Sequence, residues 1–207
     1  MKLRYNAPVT LTFALISAAV LALDMPLGGF LTRTFFTVYP DFHITNPLSW
    51  LRLVTHVIGH ANWSHLIGNF SFILLIGPIL EEKYGSGPLF LMMLVTALVT
   101  GILNTLFIRA GLLGASGIVF MMILLSSFTN IRSGEIPITF ILVVALYLVK
   151  ELVNALAPDQ ISQLAHIAGG VCGGLFGFLF RDRSAKSFPG NGKGGILSAG
   201  GGTGTGT

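Results

Sequence analysis

Apolar residues in this chain run in long blocks, not in the alternation of a strand or the narrow stripe of a soluble helix. The blocks cover roughly residues 8–31, 64–80, 88–108, 112–128, 136–157 and 161–180. About 20 apolar residues are enough to cross a bilayer as a helix. Six blocks therefore predict an all-α membrane protein, a six-transmembrane-helix bundle occupying residues 1–186. The first block has an alternative: Asp24 restricts its uninterrupted apolar part to 9–23, short enough for a cleaved signal peptide behind Lys2 and Arg4.

The connection from 32 to 63 is not a solvated loop, because Phe35, Phe36, Tyr39, Phe42, Trp50 and Trp63 are spread through it. Such aromatics favour the membrane–water boundary, so a long interfacial first loop is expected. Within it Asn46–Pro47 supplies a capping side chain and a proline suited to a first turn, which predicts a short helix over 48–57. Asp159, after Pro158, is a candidate cap for the last helix. Residues 187–207 are largely Gly, Ser and Thr and cannot bury enough apolar surface to order themselves. They are read as a disordered Gly-rich tail.

Composition supports the membrane assignment: 53% of residues are hydrophobic and 10% charged, against about 25% charged in a soluble domain. The net charge of +4 is thus no sign of nucleic-acid binding. It describes loops instead. Six spans put both termini on one side with Lys2, Arg4, Lys83, Arg132, Arg181, Arg183, Lys186 and Lys193, and leave Arg33, Arg52, Arg109 and Lys150 opposite. Eight against four places the termini in the cytoplasm, and a bacterial inner membrane is the expected location. The single Cys172 excludes an intrachain disulfide.

Strongly polar residues inside spans are expensive and mark function by default. His65 and Asn69 fall in the first turns of span two, Ser116 about 6–8 Å along span four, and His166 at a similar depth in span six. All four converge on one outer level. A lone transmembrane serine usually bonds back to a carbonyl of its own helix, but Ser116 sits among Gly114, Ala115 and Gly117, near a helix N-terminus that favours an anion. His166 is followed by Gly169, Gly173 and Gly177, with Gly170 and Gly174 forming a second pair. Such stripes permit close helix contact, close enough to bring an imidazole to a hydroxyl.

His56, His60 and His65 invite a metal reading, but no H-E-x-x-H pattern or nearby acidic ligand accompanies them. No metal or other cofactor is expected, and structural hydrogen bonding accounts for His56 and His60. Lys150–Glu151 is read as snorkelling charge or a local pair. Glu81, Glu82 and Lys83 mark the inner end of span two.

The stretch His56-Val57-Ile58-Gly59-His60 followed by His65-Leu66-Ile67-Gly68-Asn69 resembles the H-x-x-x-H, H-x-x-x-N signature of the rhomboid proteases. Gly114-Ala115-Ser116-Gly117 resembles their G-x-S-G motif, and Ala165-His166-Ile167-Ala168-Gly169 with Gly173 resembles their last-helix pattern. The resemblance covers about residues 52–180. It implies an intramembrane serine endopeptidase in which Ser116 is the nucleophile and His166 the base, a dyad with no acidic third member. It further implies an oxyanion site formed by His65, Asn69 and the Ser116 backbone N–H. Phe120 takes the position of an aromatic that packs on the catalytic imidazole, commonly Tyr. Glu81 and Gly85 resemble a structural acid and turn. One departure concerns the W-R pair of the outer loop: Arg52 fits, but Leu51 precedes it and Trp50 is shifted by one.

The partners implied are the lipid bilayer and membrane-protein substrates, single-span or polytopic, and no nucleic acid. Span five, with small and branched residues, is a candidate gate. The alternatives are a non-catalytic rhomboid-like binder of transmembrane helices and a small transporter or channel. The second calls for buried acids, and only Asp24 and Glu151 come near.

Overall fold

The computed structural model describes residues 5–128 and 163–180, with isolated helical positions between 138 and 149. The remainder of span five, the Lys150–Glu151 pair, Asp159 and the Gly-rich tail lie outside the described residues. Among the described residues the named elements are all helices: α1 (Pro8–Asp24), α2 (Phe30–Phe35), α3 (Pro47–Thr55), α4 (Trp63–Tyr84), α5 (Ser86–Phe107), α6 (Ser116–Phe128) and α7 (Gln163–Leu179). At 22 residues each, α4 and α5 are long and apolar enough to cross a membrane, while α1, α6 and α7 are shorter apolar helices.

Each longer helix keeps its strongly polar side chains on the inner, buried face and turns large apolar residues outward. The buried side of α5 carries Thr96, Thr100 and Asn104 among Leu89, Met92, Met93 and Ala97, and the buried side of α4 carries Asn69 and Glu81. Leu75 and Ile79 of α4 and Leu106 of α5 are well exposed. In water this arrangement would be inverted. In lipid it is the favourable one, since tails are as apolar as leucine and helices gain by close packing and internal hydrogen bonds.

The first apolar block ends earlier than its composition predicts. Asp24 closes α1, and its carboxylate accepts the N–H groups of Leu31 (2.7 Å) and Thr32 (2.9 Å) in the first turn of α2. Gly28 and Gly29, at φ +61° and +82°, turn the chain through a region other residues avoid. One carboxylate thus ends one helix and begins the next. The predicted cap of the loop helix is present, with Asn46 accepting the Leu48 N–H at 3.0 Å.

The outer loop is well packed despite its shifted tryptophan. Trp50 donates to the Ile44 carbonyl (3.0 Å) and meets Phe42 edge-on at 5.1 Å. Arg52 donates to the Thr34 carbonyl (2.8 Å), its guanidinium 5.2 Å from the Tyr39 ring centre. Leu53 then sets its backbone against Gly101 of α5, where a Cβ would stand 2.7 Å from the Leu53 carbonyl oxygen.

At the other end of the bundle, buried Glu81 gathers three elements. Its carboxylate accepts the backbone N–H groups of Val9 (2.9 Å) and Thr10 (3.0 Å) and the hydroxyls of Thr10 (2.8 Å) and Ser86 (2.8 Å). These include N–H groups of the first turn of α1, which have no acceptor within their own helix. Glu81→Ala should therefore lower stability by about 2–4 kcal/mol, read as a drop in thermal unfolding temperature in detergent. Glu81→Gln should lose less, and equal, negligible shifts for both would refute the capping role.

Candidate functional site

Residues 111–115 enter α6 as an extended loop, although Leu112 and Leu113 belong by composition to the apolar block. Leu112 pairs with Val38 of the first loop through two backbone hydrogen bonds of 2.9 Å, and the Gly114 N–H donates to the His56 carbonyl at 2.9 Å. Gly114 takes φ +109°, which a side chain would strain. Helix α6 consequently begins at Ser116 itself, not one turn earlier, correcting the expected depth of the serine. The first intrahelical bond at this end runs from the Val119 N–H to the Ala115 carbonyl, 3.0 Å. As first residue of the helix, Ser116 has an N–H with no acceptor within it.

Helices α6 and α7 meet backbone to backbone. A Cβ on Gly169 would overlap the Gly117 carbonyl, and one on Gly173 would overlap that of Met121. In the opposite direction, a Cβ on Gly117 would stand 3.4 Å from the Ala165 carbonyl oxygen. Ser116 is thus next to Gly117, and His166 is next to Ala165, on two helices touching at those neighbours. The Phe120 ring lies 4.6 Å from the His166 ring, tilted by 47°, and His166 is buried.

The N-terminus of α4 brings the remaining polar residues to the serine loop. Asn62 caps it by accepting the His65 N–H at 2.9 Å. The Ala61 N–H points to His65 Nδ1 at a long 3.5 Å, which leaves Nε2 as the protonated nitrogen. That Nε2 faces Gly114: a Cβ there would stand 2.7 Å from it and 3.6 Å from Asn69 Nδ2. His65 and Asn69, one turn apart on α4, thus both lie against the loop that delivers Ser116.

His56 and His60 are built into the supporting structure. His56 Nδ1 lies 3.2 Å from the Arg52 carbonyl and Nε2 3.3 Å from the Thr100 hydroxyl. His60 Nδ1 lies 3.0 Å from the Ile58 carbonyl and Nε2 3.1 Å from Asn69 Nδ2. Sequence spacing marks His60 as structural but misses that its partner is Asn69; the nine-residue separation crosses the Asn62 cap and carries no helical signature. Burial pushes both imidazoles down, each to about 4.

The expected residues therefore fall into two neighbouring groups: Ser116, Gly117, Phe120, His166, Gly169 and Gly173 along the α6–α7 seam, and His65, Asn69 and Gly114 at the loop that leads into Ser116. Helices with large apolar residues outside and buried polar side chains within, around a serine at a helix start, fit a membrane protein with a candidate nucleophile site. A rhomboid-domain family model matches residues 47–183, and the chain belongs to the rhomboid family. It is similar to the rhomboid protease GlpG of Haemophilus influenzae, 22% identical over 144 residues, covering 68% of this chain and 74% of that protein. The chloroplastic rhomboid-like protein 11 of Arabidopsis thaliana is 27% identical over 141 residues, 60% of this chain and 50% of that one. The rhomboid protease GlpG of Photorhabdus laumondii is 29% identical over 141 residues, 64% and 46% respectively. The chain spans about three quarters of the first relative and half or less of the other two.

The two depressed histidines give a pH dependence of stability. Between about pH 6.5 and pH 4 the unfolded chain takes up protons at these positions that the folded chain refuses. Stability is full above this window and falls as pH decreases through it. The unfolding temperature in detergent should drop over that range, and a flat profile would mean that the rings are not buried as described.

Proposed function

We propose that this protein is an intramembrane serine endopeptidase that cleaves transmembrane segments of membrane-protein substrates. The observation that carries the reading is the backbone contact of Gly117 with Ala165 and Gly169 beside Ser116 and His166, with the Phe120 ring packed at a tilt against the imidazole. The bundle has six spans and lies in a bacterial inner membrane. Both termini are cytoplasmic, and the site opens to the outer side.

In this mechanism His166 removes the proton as the Ser116 oxygen attacks the substrate carbonyl carbon, because a serine hydroxyl is a poor nucleophile without a base. The negative charge moves to the carbonyl oxygen, where the Ser116 N–H, His65 Nε2–H and Asn69 amide donate. Collapse breaks the C–N bond, and His166 returns its proton to the leaving amine. Water, activated by the same imidazole, then releases the acyl group. No third acid is required; Phe120 orients the ring by packing against it, without the hydroxyl contact a tyrosine would add. Donors held in place before charge develops need no rearrangement during reaction, and loss of one typically costs about 100- to 1000-fold in rate.

The test is cleavage of a single-span substrate by purified protein in detergent. Ser116→Ala and His166→Ala should each reduce cleavage by at least about 1000-fold with the unfolding temperature retained. Cleavage surviving Ser116→Ala would overturn the assignment. Absence of cleavage by the wild type on several substrates, with substrate helices still bound, would support a non-catalytic binder.

A helical peptide bond is shielded by its own hydrogen bonds, so the substrate must unwind locally at the site. Replacing Gly or Pro near the cleavage position by Ala or Leu adds about 1–3 kcal/mol of helix stability per residue. Such substrates should be cut more slowly in proportion, and equal cleavage rates would rule out the unwinding step.

A further inference from the structure

Ile58 contributes only a carbonyl oxygen to His60 Nδ1 at 3.0 Å, so this nitrogen must carry the ring proton. In a neutral imidazole Nε2 is then an acceptor. What stands 3.1 Å from it must be a donor, and that atom is Asn69 Nδ2. The Ile58 carbonyl thereby dictates, through an aromatic ring, which way round the Asn69 amide sits. An asparagine amide left to itself can present either its oxygen or its nitrogen.

We propose that His60 is a positioning residue that locks the Asn69 amide with its nitrogen toward the serine loop, spending one N–H on the imidazole and leaving the second for the oxyanion. This rests on the oxyanion role of Asn69 proposed above. Three features of the surroundings hold the lock. His60 is 2% exposed, its ring packs on Phe70 at 5.6 Å, and it meets the His65 ring at 5.0 Å, so both polar residues facing Gly114 touch the same imidazole. The ring also borders a cavity of about 330 Å³ lined by Asp24, Arg33 and Tyr39. Burial keeps the ring neutral down to about pH 4, so it remains an acceptor under working conditions. A flipped amide would place Oδ1 toward the developing negative charge, replacing a donor with a repulsive lone pair.

The experiment is a double-mutant cycle on kcat for a single-span substrate in detergent, with unfolding temperature measured for each variant. His60→Leu removes the acceptor, and His60→Gln returns one near the position of Nε2. We expect Asn69→Ala to lower kcat about 100-fold and His60→Leu to lower it about 10- to 100-fold, with little change in KM. The double variant should be no slower than Asn69→Ala alone, and His60→Gln should recover most of the loss. A lock is refuted if the two losses multiply, or if Gln and Leu are equally slow at equal stability, which is the pattern of a purely structural histidine. Wild-type kcat for Asn69→Ala is a different failure: the oxyanion assignment itself then falls, and the lock with it.

Discussion

The closest constraint in this molecule is the contact between the backbones of α6 and α7. At Gly169 and Gly173 there is no room for a single carbon beyond the main chain, because the carbonyls of Gly117 and Met121 already occupy it. Without a hydrophobic force between helices in lipid, such proximity has to be gained atom by atom through dispersion and the absence of side chains. The candidate nucleophile and base lie one residue from the touching positions. Their separation is therefore set by main-chain contact and not by the reach of flexible side chains. Precision of this kind suits chemistry in which about 1 Å of misplacement costs two orders of magnitude in rate.

A second layer fixes the loop in front of the serine. Its three hydrogen bonds, from Leu112 to Val38 in both directions and from Gly114 to His56, come from segments more than 50 residues earlier. The first loop is consequently part of the site. Its aromatic packing, around Arg52, Tyr39, Phe42 and Trp50, holds the strand-like residue Val38 in place. The aromatic residues that mark this loop in the sequence are thus also the ones packed beside the residue that pairs with the serine loop.

Much of this was legible in the sequence where the signal is local. Apolar blocks locate α4 and α5 within a few residues, and Asn46 before Pro47 announces the start of α3. The glycine stripe of α7 foretells its close neighbour. What was not legible depends on distant partners. Leu112 and Leu113 extend an apolar block, and nothing nearby reveals that Val38 will pull Leu112 out of the helix. Asp24 looks like an interruption in a span; that it closes α1 becomes evident only once Leu31 and Thr32 turn back to it. His60 and Asn69 each belong to a recognisable motif, but their hydrogen bond follows from the turn between the motifs.

Glu81 has a further consequence that concerns synthesis. The N–H groups it caps lie 71 and 72 residues earlier in the chain. During translation α1 is complete well before its acceptor exists, and exposed N–H groups find no partner in hydrocarbon. That end of α1 must stay among water and headgroups until the second long helix has been made. The same carboxylate also receives Ser86 at the start of α5, so the turn that launches the third long segment and the closure of the first are completed together. A single buried acid thereby gives the nascent chain an order of assembly, in which the first helix is secured only when the end of α4 and the start of α5 have been made.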